Sequence, residues 1–331
     1  MARRMSIPDQ EVAPKSGPPA SVSAAKGGPV GGPPQSSGGP GGPPQAKGGP
    51  PAQTRAQKVL EVAFDAGFKL LYLGDDSGIQ DSSKNLRVLW TRALLNSLGK
   101  INDPVAADLS PRKTRWVVGT SMANLAWRDS PAVEKLDWIV DRTQFIDSQL
   151  DEFLEETQGC STNRQVVLLG SGYDTRALRY SQSNVDIYEI DIPEVVSMKS
   201  KMVNQYLENS SRESSITFVP LDLNEALTRN KNVVEVLKSQ GFQEDLPTIV
   251  VCEAVLFYLI PGAVQKIVSD LFSLNANRYC FTDNLSKVGV QPGPPVPSPR
   301  EKCESWLKEN GKELVAHNSI WGGAIHFVAA K

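Results

Sequence analysis

From position 164 to the C-terminus the chain alternates short apolar runs with longer segments of helical period. This alternation restricts the fold more than any other feature of the sequence. RQVVLLG (164–170) is a short apolar run closing in Gly, the mark of a strand buried on both faces. VDIYEID (185–191), ITFVPLDL (216–223), PTIVVCEAV (247–255) and RYCFTDN (278–284) are four further strand candidates. Between them, 193–207 starts with Pro193 at a first helical turn, and 224–240 and 261–274 have helical spacing. Strand–helix–strand order at this spacing demands right-handed crossovers and a parallel sheet. After the Pro-rich loop 291–299, a helix is expected over 301–310, ended by Gly311. KELVAHNSI and AIHFVAAK close the chain as two strands, and the WGG link at 321–323 predicts an antiparallel hairpin.

Helical material precedes the first strand by about a hundred residues. Helices are expected over 55–68, 84–99 and about 131–157, the last broken in two. Upstream of these, the first 51 residues hold 11 Gly and 12 Pro and no aromatic residue. Such a segment cannot bury enough apolar area to offset its ordering entropy, so residues 1–54 read as a disordered tail. Its PxxP-like pieces give it a weak docking capacity at most. The domain expected is 55–331, with a helical cap over 55–160 and an α/β core over 161–331.

A net charge of −2 argues against a nucleic-acid binder held by a basic field. No apolar run approaches the length of a membrane span, and the N-terminus has no apolar core of a secretory signal. A cytoplasmic location is the expectation, with organellar targeting left open. The four cysteines form no CxxC pair and read as free thiols of a reducing compartment. The two histidines, His317 and His326, lack metal-ligand spacing, so no metal is expected.

In an open α/β sheet the ligand lies outside the C-terminal strand ends, and four of those ends carry unusual residues. Gly170 and Gly172 in LGSGYDTR allow a tight turn and close backbone approach, although Thr175 stands where a dinucleotide fingerprint would have its third glycine. Asp191, 21 residues after Gly170, can accept hydrogen bonds from two ribose hydroxyls, with Glu189 a second candidate; the alternative for Asp191 is a helix cap. Asp222 and the Leu223 amide suit an adenine ring, or cap the next helix. Glu253 sits in an apolar strand, where an ionised carboxylate is costly without a partner.

The order LLGSGYDTR, YEIDIPEV, PLDLN, VCEAVLFYL resembles the leucine carboxyl methyltransferase family, over roughly 84–331. That family includes the protein phosphatase 2A leucine carboxyl methyltransferases, wybutosine-pathway tRNA enzymes and many small-molecule methyltransferases. The resemblance implies a seven-stranded class I methyltransferase fold, Rossmann-like, with an N-terminal helical extension and S-adenosyl-L-methionine as cofactor. It implies that the Gly170 loop faces the methionine part, Asp191 the ribose, Asp222 and Leu223 the adenine, and Glu253 the methionine amino group. It adds Arg92, eleven positions before Asp103-Pro104, and Arg142, in an R-x-x-F pattern with Phe145, as contacts to the cofactor carboxylate.

The resemblance also implies methyl transfer to an oxygen, in the first place a carboxylate of a small molecule or peptide. Only four residues separate Ser319 from Ala324, which leaves no room for the insertion of the phosphatase-modifying branch; phosphatase tail methylation is the alternative. A protein that keeps the pocket without turnover is a further one. An ionised carboxylate acceptor needs no base, so no catalytic base is assigned. Tyr173, Arg176 and Tyr258 are expected near the substrate.

Overall fold

The protein is described by a computed structural model covering residues 82–110, 115, 127–128, 131–134, 136–210, 214–293 and 296–331. The Pro/Gly-rich tail and the helix expected over 55–68 lie outside the described residues.

Among the described residues, four helices come first: α1 (Ser82–Ser97), α2 (Pro104–Leu109), α3 (Pro131–Glu134) and α4 (Asp137–Glu156). The long helical stretch is therefore broken in two, as expected. Asp103 caps α2, accepting from the Ala106 amide at 3.2 Å, with Pro104 inside the first turn. The core then runs β1 (Arg164–Leu169), α5 (Arg176–Arg179), β2 (Val185–Asp191), α6 (Pro193–Ser210) and β3 (Ile216–Pro220). It continues α7 (Glu225–Thr228), α8 (Val233–Ser239), β4 (Thr248–Glu253), α9 (Pro261–Ser273), β5 (Arg278–Asp283), α10 (Pro299–Glu309), β6 (Leu314–Ile320) and β7 (Ile325–Ala330).

All seven expected strands form, in one sheet of order β3-β2-β1-β4-β5-β7-β6. The first five pair in parallel, and β7 runs antiparallel to both β5 and β6. This is the seven-stranded α/β arrangement that the resemblance implied. The strand order reverses between β1 and β4, which puts the ligand-binding crevice outside their C-terminal ends.

Two of the differences from the expected boundaries have a visible local cause. The third strand ends at Pro220 rather than 223, because Asp222 turns the chain by accepting the Asn224 amide at 2.9 Å. The helix expected over 224–240 is two, because Asn230 takes φ +49° and Asn232 starts a new helix by capping the Val234 and Glu235 amides.

The central strands are buried on both faces, which is why they read as continuous apolar runs. In β1, Val167 and Leu169 join Val264, Ile267 and Leu271 of α9 in one core; Val166 and Leu168 join Ile146, Leu150 and Phe153 of α4 in another. A third cluster packs α1 and α2 against Tyr173 and Val203. No helix of the described residues is long and apolar enough to cross a membrane.

Phe153 is fully buried between α4 and the sheet. Phe153→Ala should therefore cost about 3–5 kcal/mol of stability, read as a lower urea midpoint at unchanged m-value; a loss under 1 kcal/mol would contradict this packing.

Candidate active site

The turn after β1 is built on two left-handed glycines. Gly170 has φ +58° and Gly172 φ +46°. A Cβ at Gly170 would run into the Val255 side chain, so this position excludes side chains on both conformational and steric grounds. The turn is tied to the end of β2: the Gly172 amide donates to Asp191 Oδ2 at 2.6 Å and the Ile192 amide to Oδ1 at 2.7 Å. Burial raises the Asp191 pKa, and these two amides work against that rise. A carboxylate has about four lone-pair sites, so two remain for a ligand.

Glu189, two residues earlier, is fully buried and accepts from Lys199 at 2.7 Å. Its carboxylate is engaged in a buried ion pair with Lys199. Burial lifts its pKa to about 7 despite Lys199.

Glu253 ends β4 with its carboxylate 13% exposed. Three arginines from three helices converge on it. Arg142 of α4 approaches Oε1 at 2.7 Å, Arg176 of α5 donates to Oε2, and Arg92 of α1 lies 3.9 Å from Oε2. Each arginine has a further partner. Arg92 Nε donates to Asp103 at 2.7 Å, and the Arg142 guanidinium lies over the Trp138 ring at 4.7 Å. Arg176 donates to Asp147 and to Asp174, each at 2.6 Å. Arg179 adds two bonds to Asp147, at 2.9 and 3.0 Å. Burial opposes charge on Glu253 and Asp174, but the arginines outweigh it and hold both carboxyls below their ordinary pKa.

The backbone after Glu253 is strained: Ala254 has φ +55°. Asp283 of β5 steadies this loop, accepting the Val255 and Leu256 amides at 2.6 and 2.7 Å. Lys287 adds bonds to the Leu256, Phe257 and Leu259 carbonyls.

A cavity opens where these parts meet. Its walls include Arg92, Arg142, Gly170, Gly172, Tyr173, Glu253 and Tyr258, seven of the residues singled out from sequence. Asp191, Asp222 and Leu223 are not on that wall, although Asp191 touches it through Gly172. The Leu223 side chain is buried in the core, so a ligand could use only its backbone. Arg176, expected near the substrate, is 1% exposed, pairs with three carboxylates including Glu253, and is not on the cavity wall. Trp138, Asp174 and Asp147 were missed by sequence reasoning. Asp174 lies inside the quoted LGSGYDTR motif, and Trp138 precedes Arg142 by one helical turn, so both had a usable signal. Asp147 had none.

The donor set fits the cofactor that the resemblance implies. Arg92 is 2% exposed, and its Nη2 has no hydrogen-bond partner although the residue lines the cavity. A buried donor of this kind calls for an anion.

Residues 84–272 match the family described as Leucine carboxyl methyltransferase. The chain belongs to that family. Its relatives include proteins called "Putative S-adenosyl-L-methionine-dependent methyltransferase". One, from Frankia alni, is 32% identical over 46% of this chain and 49% of its own length. Another, from a Mycobacterium, is 32% identical over 55% of each. The chain thus matches about half the length of these relatives. Among solved structures, the magnesium protoporphyrin IX methyltransferase from Synechocystis PCC 6803 with bound SAH has a TM-score of 0.38. It is 17% identical, over 59% of this chain and 85% of that one, too distant to bear on the reaction.

Two outcomes follow from this geometry. Gly170→Ala should destabilise the protein by about 1–2 kcal/mol or more from the left-handed backbone alone, measured by denaturant unfolding; a neutral substitution would contradict the turn. Asp283 has its pKa raised by burial from 3.8 to about 6, against four backbone amides. Its folded pKa lies above its unfolded one, so its contribution is complete below pH 3.8 and is lost as pH rises through 6. The stability difference, wild type minus Asp283→Asn, should fall across that window and be flat above it.

Proposed function

We propose that this family member is an S-adenosylmethionine-dependent O-methyltransferase whose acceptor is a carboxylate of a small molecule or peptide. The observation that carries the reading is the meeting of Arg92, Arg142 and Glu253 beside the Gly170–Gly172 turn. The methionine end of the cofactor is an amino-acid zwitterion, and this end of the cavity offers both signs of charge. Arg92 and Arg142 would hold the carboxylate, and Glu253 the ammonium. Asp191 would accept from the ribose hydroxyls, and Asp222 with the Leu223 amide would meet the adenine. When bound, the cofactor supplies an electrophilic methyl group.

The choice of acceptor rests on what the cavity wall lacks among the described residues. Neither histidine lines it. Asp174 and Glu253 do, but the arginines hold them ionised with depressed pKa, which makes them poor bases. The Tyr173 hydroxyl donates to Met198 Sδ at 2.8 Å, and burial and Asp191 push its pKa up to about 12. An acceptor that arrives ionised needs no proton removed. The chain's own work is then to bind, align and exclude water. Phe257 and Tyr258, 43% and 65% exposed with ring centroids 4.0 Å apart, form an aromatic lip that suits an acceptor with an apolar body.

The test is transfer of labelled methyl from S-adenosylmethionine to a panel of apolar carboxylic acids, with a phosphatase C-terminal peptide as one member and matched alcohols as controls. The account expects a base-labile methyl ester and a turnover rate flat from about pH 6 to 9, because the acceptor carboxylate is fully ionised there. A base-stable product, or a rate climbing tenfold per pH unit, would assign a hydroxyl acceptor instead.

A further inference from the structure

Both histidines of the chain are in one place, and one of its four cysteines is with them. Cys303 comes from α10, His317 from β6 and His326 from β7. His326 Nδ1 lies 3.3 Å from Cys303 Sγ and 3.3 Å from His317 Nε2. All three potential ligand atoms fall within 4.8 Å of one another. Cys303 and His326 are buried at 0% and 1% exposure, and His317 is half-buried.

One ordinary hydrogen bond accounts for only one of these two contacts at a time. Neutral imidazole has one ring nitrogen that accepts and one that donates. His326 Nδ1 faces two neighbours with either one lone pair or one proton, so it can accept from one of them or donate to one. His326 Nε2 is buried with no hydrogen-bond partner. Nδ1 is the ring atom that faces the cluster, and a backbone hydrogen bond with Gly323 also acts on the ring. Metal coordination accounts for the spacing directly. With metal–N of about 2.0–2.1 Å and metal–S of about 2.3 Å, tetrahedral geometry sets neighbouring ligand atoms about 3.3–3.6 Å apart. Two edges already stand near that spacing.

We propose that Cys303, His317 and His326 form a binding site for a divalent cation of the zinc class. Two imidazoles and a thiolate are the borderline-soft set such an ion takes, in preference to magnesium or calcium. On binding, the thiol releases its proton to solvent and the sulfur becomes the anionic ligand. The fourth position is left to water, reached past half-buried His317. Nearby Arg300 is paired with Glu304 at 2.8 Å, which offsets its repulsion of the cation. The ion would join α10 to the β6–β7 hairpin. The turn of that hairpin carries Trp321, whose ring centroid is 6.0 Å from that of Trp138 on the cavity wall.

The experiment is a Co2+ titration of the chelator-stripped full chain carrying Cys160→Ser, which removes the one exposed thiol. The expected result is one cobalt per chain, with thiolate-to-cobalt charge-transfer absorption in the near ultraviolet that one equivalent of Zn2+ abolishes. Cys303→Ala should lose the charge-transfer band, and His317→Ala should weaken Zn2+ binding at least about tenfold, with circular dichroism reporting the fold of each. Zn2+ should raise the melting temperature of the parent and not of His317→Ala. No charge-transfer band in the folded parent, or a band and affinity unchanged in either folded variant, would overturn the site and leave a hydrogen-bonded cluster.

Discussion

A carboxylate at the end of an apolar strand costs several kcal/mol to bury unless cations meet it, and this requirement at Glu253 organises the candidate site. Its partners come from α1, α4 and α5, and each guanidinium answers to at least one more group: Asp103, Asp147 and Asp174, or the Trp138 ring. The Thr175 hydroxyl extends the network by donating to Asp103 at 2.7 Å. The helical layer is thereby fastened to the strand ends by charges rather than by apolar contact alone. Removing one member of such a network strands its partner, which costs about 3–5 kcal/mol. The arrangement therefore holds the cavity wall in place and keeps its carboxylates ionised at neutral pH.

The sheet supplies the other constraint. Reversal of strand order between β1 and β4 opens a crevice that no neighbouring strand fills. The left-handed Gly170 lets the β1 turn come close against Val255 of the β4 loop, and the Asp191 carboxylate locks that turn to β2 through the Gly172 amide. Three strand ends are fixed relative to one another before any ligand arrives. Strain at Ala254 is held by Asp283 across the β4–β5 pair, so the lip bearing Phe257 and Tyr258 is positioned from the sheet as well.

Much of this was legible in the sequence because its signals are local. Continuous apolar runs marked the central strands β1 and β4, buried on both faces, and all seven expected strands form. The errors were also local: Asp222 and Asn232 each satisfy backbone amides with a side-chain oxygen, which ends a strand or starts a helix where periodicity alone continues it. Charge pairing was less legible. Arg176 stands in a motif that suggests ligand contact, but its partners Asp147 and Glu253 lie 29 and 77 residues away. The same holds for Cys303, His317 and His326. Their spacing resembles no metal motif because antiparallel pairing of β6 with β7 and the packing of α10 bring them together.

Calorimetric titration of S-adenosylmethionine into the wild-type chain and Asp191→Ala reads directly whether this cavity holds the cofactor. One site of micromolar-range affinity is expected, on the order of −8 kcal/mol, with a loss of at least about tenfold in the variant, since a charged hydrogen-bonding group is worth about 1.5–3 kcal/mol. No binding to the folded wild type, or equal affinity in both proteins, would contradict it.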